Sequence, residues 1–223
     1  MKVLGINASP HGAKSLTLKL VKAVLGGVQA SGLDVEFVDL CALKIEYCNA
    51  CGVCYKTGNC PRADDFYFIY EKMLGAAGLV IGSPNYIRSV SAQLKTLLDR
   101  MADAIHCQLL TGKYSVNVAT SGGLGKDLQV TEYLSEVMLS FGAFVTGSVG
   151  ASIAAGPEAL AEAEKKAFHL GEVLAEDIKK GKKYPDQELI LEENRKYFQN
   201  LVRMNKDEWV HEYEYWKSAA KAS

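Results

Sequence analysis

Lys2-Val-Leu-Gly-Ile-Asn7 runs directly into Ala8-Ser-Pro-His-Gly-Ala-Lys-Ser-Leu-Thr17, and Leu16, Leu18, Leu20, Val21 and Val24 then follow at helical spacing. The first segment is an unbroken apolar run, as expected of a strand buried on both faces. A strand that turns through a Ser- and Gly-bearing loop into a helix leaves unpaired backbone N–H groups and the positive end of the helix dipole at its carboxyl end. Such a place attracts anions. Ser9, Ser15 and Thr17 offer hydroxyls, His11 and Lys14 add charge, and Gly12 lets the backbone approach a ligand closely. The plainer alternative is that Ser15 or Thr17 serves only as a helix N-cap. Neither the Gly-Lys-Ser/Thr signature of a P-loop nor the glycine fingerprint of dinucleotide-binding folds is present, so those modes of phosphate binding are disfavoured.

Working outward, the same alternation repeats. Strands are predicted over 2–7, 35–40, 78–82, 114–120 and 143–150, and helices over 15–30, 65–76, 91–104, 128–141 and 158–180. Apolar strands alternating with helices imply an α/β fold: a doubly wound, five-stranded parallel sheet with helices on both faces, whose ligands bind beyond the carboxyl ends of the strands. This domain is expected to span 1–183, with a cysteine-bearing loop at 47–63. Residues 184–223 are polar and charged but carry Tyr197, Phe198, Trp209, Tyr213, Tyr215 and Trp216, too aromatic for a disordered tail. They are expected to form a helical extension that packs either on its own domain or on a neighbouring subunit.

Bulk composition narrows the function classes. The 223 residues carry 25 basic and 26 acidic side chains, a formal net charge of -1, which argues against a general nucleic-acid binder. No run approaches the ~18 apolar residues of a membrane span, and the first strand breaks at Pro10, too early for the apolar core of a signal peptide. The expected location is cytoplasmic. In a reducing compartment the six cysteines are expected to be thiols, metal ligands or redox groups rather than a disulfide framework.

Two further strand ends resemble the first in kind. Strand 78–82 leads into Ser83-Pro-Asn-Tyr-Ile-Arg-Ser-Val-Ser91, where Pro84 stiffens the turn and Asn85 and Tyr86 place a hydrogen-bonding group and a flat ring. Strand 114–119 leads into Thr120-Ser-Gly-Gly-Leu-Gly125, whose glycines expose bare backbone to a planar ligand. Each alone reads as a flexible loop. Together the three outline a cleft with a phosphate pocket at one end and a flat slot at the other, which suits flavin mononucleotide, FMN.

Between the second strand and the second helix lies Cys48-Asn-Ala-Cys51-Gly-Val-Cys54-Tyr-Lys-Thr-Gly-Asn-Cys60-Pro61. Three closely spaced thiolates can hold three corners of a [4Fe-4S] cube and a fourth, a short loop away, the last. Gly52 and Gly58 supply tight turns. A structural zinc site and a set of metal-free thiols remain open alternatives. Cys41 is expected to be a buried small hydrophobe at a strand end. His106 and Cys107 fall just past a helix, where a place at the cleft is one possibility, and His169 and His211 are expected on the surface or in packing. No Ser/His/Asp arrangement and no zinc-hydrolase arrangement is found.

The combination of Ser9-Pro-His11, Ser15-Leu-Thr17, Gly82-Ser-Pro-Asn-Tyr86, Ser89-Val-Ser-Ala-Gln-Leu-Lys95 and Asp99-Arg100 resembles the NADPH-dependent FMN reductases, a flavodoxin-like family, over roughly residues 1–180. The cysteine block, followed by Asp64-Asp65, resembles their iron–sulfur flavoprotein branch. The resemblance implies that Ser9, His11, Ser15, Leu16 and Thr17 hold the FMN phosphate. Pro84, Asn85, Tyr86 and Ile87 would line the flavin ring, and Thr120, Ser121, Gly122, Gly123 and Gly125 would cover its other side. Cys48, Cys51, Cys54 and Cys60 would hold a [4Fe-4S] cluster. His11 stands where the family usually has Arg, which keeps a donor but weakens the charge. The implied function is FMN-dependent electron transfer from ferredoxin or NAD(P)H to a quinone or another small-molecule acceptor, in a homodimer or homotetramer with no nucleic-acid or membrane partner. A cluster-free NAD(P)H:FMN or quinone reductase and a non-catalytic flavin carrier or redox sensor are the alternatives.

Overall fold

Val3, Leu4 and Ile6 are all but inaccessible to solvent, and the strand they form, β1 (Lys2–Asn7), lies inside the sheet. The computed structural model describes residues 1–222. β3 (Gly78–Pro84) and β4 (Tyr114–Ser121) are buried at every position, the pattern of strands covered on both faces. β2 (Asp34–Asp39) and β5 (Phe144–Ser152) form the edges, and all five strands pair in parallel in the order β2-β1-β3-β4-β5. The chain leaves β1 for one side and returns to β3 on the other. The crevice above that reversal is where ligands bind in such sheets.

On one face, α1 (Leu16–Ala30) and α7 (Gly156–Lys180) cover Val80, Val116 and Val118 with Val21, Val24, Ala167 and Leu174. Their backbones come within touching distance, since a Cβ on Gly27 would lie 2.0 Å from the Phe168 carbonyl oxygen and one on Gly171 2.0 Å from that of Val24. On the other face, α3 (Phe66–Gly75), α4 (Ala92–Asp99) and α6 (Leu128–Ser140) bury Ile69, Met73, Leu94, Leu97, Leu134 and Met138 against Leu4, Ile6, Leu79 and Ile81. Two short helices complete this side: α2 (Val53–Thr57) in the cysteine loop and α5 (Ala102–His106). The helix expected over 91–104 is therefore two. The break falls where Arg100 turns its side chain inward and Met101 leaves helical geometry at φ -96, ψ 33.

The extension forms α8 (Pro185–Met204) and α9 (Val210–Ala222) and packs on its own domain. Gln187 gives and accepts a 2.8 Å hydrogen bond at the Val145 backbone, capping the edge strand β5. Buried Asp177 accepts from Thr146 and Tyr184 and pairs with Lys182, which fixes the turn into α8. Phe198 and Val202 are buried on the inner face of α8. Among the described residues no helix is long and apolar enough to cross a membrane.

Candidate functional site

The loops after β1, β3 and β4 meet above the reversal and enclose a cleft of about 290 Å3. It is lined by Ser9, His11, Lys14, Ser15, Leu16, Thr17, Pro84, Asn85, Tyr86, Thr120, Ser121 and Gly122, joined by Ile153 from the turn after β5. Among the described residues none of the lining side chains is acidic, so an anion meets His11, Lys14 and the start of α1 without a competing carboxylate. Ser15 is the N-cap of α1, its Oγ accepting from the Leu18 amide at 3.1 Å. Leu16 and Thr17 occupy the first turn, where amides have no intrahelical acceptor, and both line the cleft. Thr17 Oγ1 lies 2.7 Å from Thr120 Oγ1, and both residues are buried, so the first and third loops are tied together.

The second loop is held as firmly. The Asn85 amide donates to the Thr120 carbonyl at 2.7 Å, and the Asn85 side chain bridges the Arg88 amide and the Lys126 carbonyl. Tyr86 and Ser89 exchange backbone hydrogen bonds of 2.9 and 3.1 Å around Ile87 and Arg88. Such a two-residue turn needs positive φ at both centres, and Ile87 (φ 49) and Arg88 (φ 66) supply it. Ile87 projects into solvent, 98% exposed, and does not line the cleft; Gly123 and Gly125 also lie outside its wall. Ile153 escaped the sequence reading. The signal was its place just past the carboxyl end of another parallel strand, the same cue that marked the other loops.

Cys48, Cys51, Cys54 and Cys60 line one small pocket together with Arg62, Arg100 and Ala102. The loop bends through Ala50, Gly52 and Gly58, all at positive φ, and the Ala50 amide donates to Cys48 Sγ at 3.4 Å. Tyr67 OH accepts from the Cys60 amide at 2.5 Å. Arg100 ties the two ends of the loop together, donating to the Glu46 carbonyl at 2.7 Å and to Asp64 at 2.7 and 3.3 Å. Burial opposes the Arg100 charge, but Asp64 and the Cys60 thiol hold its pKa above the ordinary value. The Nε atoms of Arg62 and Arg100 are buried without a hydrogen-bond acceptor. Burial, with Asp103, Cys60 and Glu212 adding to it, pushes the Cys54 thiol up to about 12. Among the described residues no three Cys, His, Asp or Glu side chains converge as a formed metal site.

The remaining titratable residues depart from expectation in part. Cys41 is half-buried on the turn after β2, where burial and Asp39 push its thiol up to about 11. His106 is not at the cleft. It faces α2 and α9 with Cys107 buried behind it, because the break after Asp99 redirects α5 toward the extension. His169 is exposed and pairs with Glu172 on its own helix, and exposed His211 lies over Gly58.

Residues 1–158 match the family described as NADPH-dependent FMN reductase. The chain belongs to this family. It is also 32% identical over 219 residues, 97% of this chain and 98% of the other, to an iron–sulfur flavoprotein of Archaeoglobus fulgidus. An iron–sulfur flavoprotein of Methanocaldococcus jannaschii is 38% identical over 133 residues, 58% of this chain and 68% of the other. The chain thus falls in the iron–sulfur flavoprotein branch of the NADPH-dependent FMN reductases. An azoreductase from Bacillus anthracis shares the fold at a TM-score of 0.62 and 19% identity, covering 77% of this chain and 99% of the other. The flavodoxin-like fold and the family make this protein a flavin-dependent oxidoreductase. The cleft suits the family's flavin in its donor chemistry: hydroxyls, a helix N-terminus and two basic side chains at one end, and backbone facing open space at Gly122 at the other.

Proposed function

We propose that FMN lies with its phosphate on Ser9, His11, Ser15, Leu16 and Thr17 and its ring between the Pro84–Ile87 and Thr120–Gly125 loops. We propose further that electrons pass between a donor, ferredoxin or NAD(P)H, and a quinone or other small acceptor by way of FMN and a [4Fe-4S] cluster on Cys48, Cys51, Cys54 and Cys60. FMN supplies one- and two-electron chemistry and the cluster single-electron transfer. The protein's own part is positioning. α1 offers first-turn amides to the phosphate, and the Thr17–Thr120 contact fixes the distance between the first and third loops. The hydrogen bonds of Asn85 hold the second loop against the third. No side chain is asked to act as acid or base.

The observation that carries the cluster is the chemistry of the small pocket: four thiols with two guanidinium groups whose Nε donors have no protein acceptor. Thiolate-bound clusters are anionic, and buried donors without acceptors are what such a group satisfies. Cys54 must lose a proton on binding, so loading releases protons. The competing reading is a cluster-free reductase, favoured by the absence of a converged ligand set among the described residues. Iron, acid-labile sulfide and the visible spectrum of protein purified without oxygen separate the two. About four irons and four sulfides per flavin support the cluster; flavin without iron leaves the cluster-free reductase.

A further inference from the structure

Helix α2 carries Cys54 yet buries none of its own residues fully, and at five residues it has little internal hydrogen bonding to stand on. Its cover comes from the far end of the chain. The Tyr55 ring, next to Cys54, packs 4.8 Å from Trp209 and 5.2 Å from His106, and the His211 ring crowds Gly58 closely enough that a Cβ there would lie 2.5 Å away. Cys54 and the loop turn at Gly58 are thereby both placed against the approach to α9 and its first turn.

That helix is pinned at one point. His106, the last residue of α5, stacks on Trp209 at 4.7 Å and 8°. Its Nδ1 lies 3.0 Å from Glu212, a carboxylate with no solvent exposure. A buried carboxylate without a donor is costly, so this contact selects the rotation of α9 about its axis. Trp216 adds a 3.0 Å hydrogen bond to the His106 carbonyl. The other end of α5 begins with Ala102, which lines the cysteine pocket.

We propose that α9, together with Trp209 just before it, is the latch of the cysteine site: Glu212, held by His106, and Trp209, held against Tyr55, are positioning residues that keep α2 and Cys54 in place for the metal. This rests on the cluster reading for its consequence, but the latch itself is a property of the metal-free chain. α9 lies beyond residues 1–158, the stretch matched to the FMN reductase family, whereas its partners Tyr55 and His106 lie within it.

The test compares Glu212→Ala, Glu212→Gln and Trp209→Leu with the parent protein by two readouts. The first is the rate at which iodoacetamide alkylates Cys54 in the metal-free protein, followed by peptide mass spectrometry with Cys41 as internal control. The second is iron per FMN after reconstitution without oxygen. Glu212→Ala and Trp209→Leu should speed Cys54 alkylation about tenfold, because a lost buried hydrogen bond or ring contact raises local opening by that order. Cys41 should not change, FMN should stay bound, and iron per FMN should fall. Glu212→Gln keeps an acceptor for Nδ1–H but removes a charge that helps hold the Cys54 thiol protonated, so it should speed alkylation only by that electrostatic share, well short of Glu212→Ala. Parent-like alkylation of Cys54 in both Glu212→Ala and Trp209→Leu overturns the latch, as does equal loss in Glu212→Gln and Glu212→Ala. If the parent itself takes up no iron, the cluster reading falls, and the alkylation rates alone decide the latch.

Discussion

Arg100 and Asp64 form an ion pair with side chains 1% and 2% exposed, and it joins the break between α4 and α5 to the end of the cysteine loop. Burial pushes the Asp64 carboxyl up, but the Arg100 guanidinium and the Glu46 and Phe66 amides outweigh it and hold the pKa below the ordinary value. A carboxyl lowered on folding contributes stability that is present above its unfolded pKa, about 3.9, and is lost as pH falls through the lower folded value. Asp64→Asn leaves a buried guanidinium unpaired and should cost about 3 kcal/mol near neutral pH. The gap to the parent should narrow as pH falls below about 4. Denaturant titrations at both pH values check this, and a gap of constant size would count against it. Ile87 makes the opposite case. It is β-branched, at φ 49, and almost wholly exposed, so it bears the strain of the left-handed region with no packing in return. Ile87→Asn should stabilise the protein by about 1 kcal/mol, raising the melting temperature by about 2–4 °C. A gain in stability accompanied by weaker FMN binding would show that the strain serves the ligand; no gain at all would mean that the turn is not strained.

At the level of elements, the α1–α7 crossing depends on two residues without side chains. A Cβ on Gly27 meets a backbone oxygen at 2.0 Å, which only separation of the helices can relieve, whereas one on neighbouring Gly26 meets the Phe168 ring at 3.4 Å. Gly27→Ala should therefore cost about 3 kcal/mol, and Gly26→Ala should gain up to about 1 kcal/mol from helix propensity. Urea denaturation of the pair provides the check, and equal effects would mean that the crossing is looser than described. The inner strands β1, β3 and β4 were legible in the sequence because burial on both faces demands apolar-rich runs, visible without knowledge of the partners. The break in 91–104 was not. Leu94, Leu97, Leu98, Met101, Ala104 and Ile105 keep helical spacing straight through it, and what divides the helix is the pull of Asp64, 36 residues away, on Arg100. Helix α2 was hidden for a related reason: its two flanking glycines were readable as turns, but five residues are too few to show a period.

For the whole molecule, the topology explains how much of the site could be read in advance. A parallel sheet delivers the loops after β1, β3 and β4 to one edge, so cues as local as Ser-Pro, Pro-Asn-Tyr and Gly-Gly were enough to foresee one cleft. The seat of the extension was beyond reach, since its aromatic residues find their partners at Tyr55 and His106, more than 90 positions earlier in the chain. The same topology separates the two candidate sites. The flavin cleft and the cysteine pocket share no lining residue, and the first is built from the sheet edge while the second hangs from the α4–α5 break. Contributions from sites without shared partners are close to additive. Cys51→Ser, at an exposed thiol, should therefore lower iron content while leaving the dissociation constant for FMN within about twofold of the parent. Fluorescence titration of metal-free protein with FMN measures this directly. A large loss of FMN affinity in Cys51→Ser would mean that the cysteine loop closes over the flavin, and the two sites would then have to be treated as one.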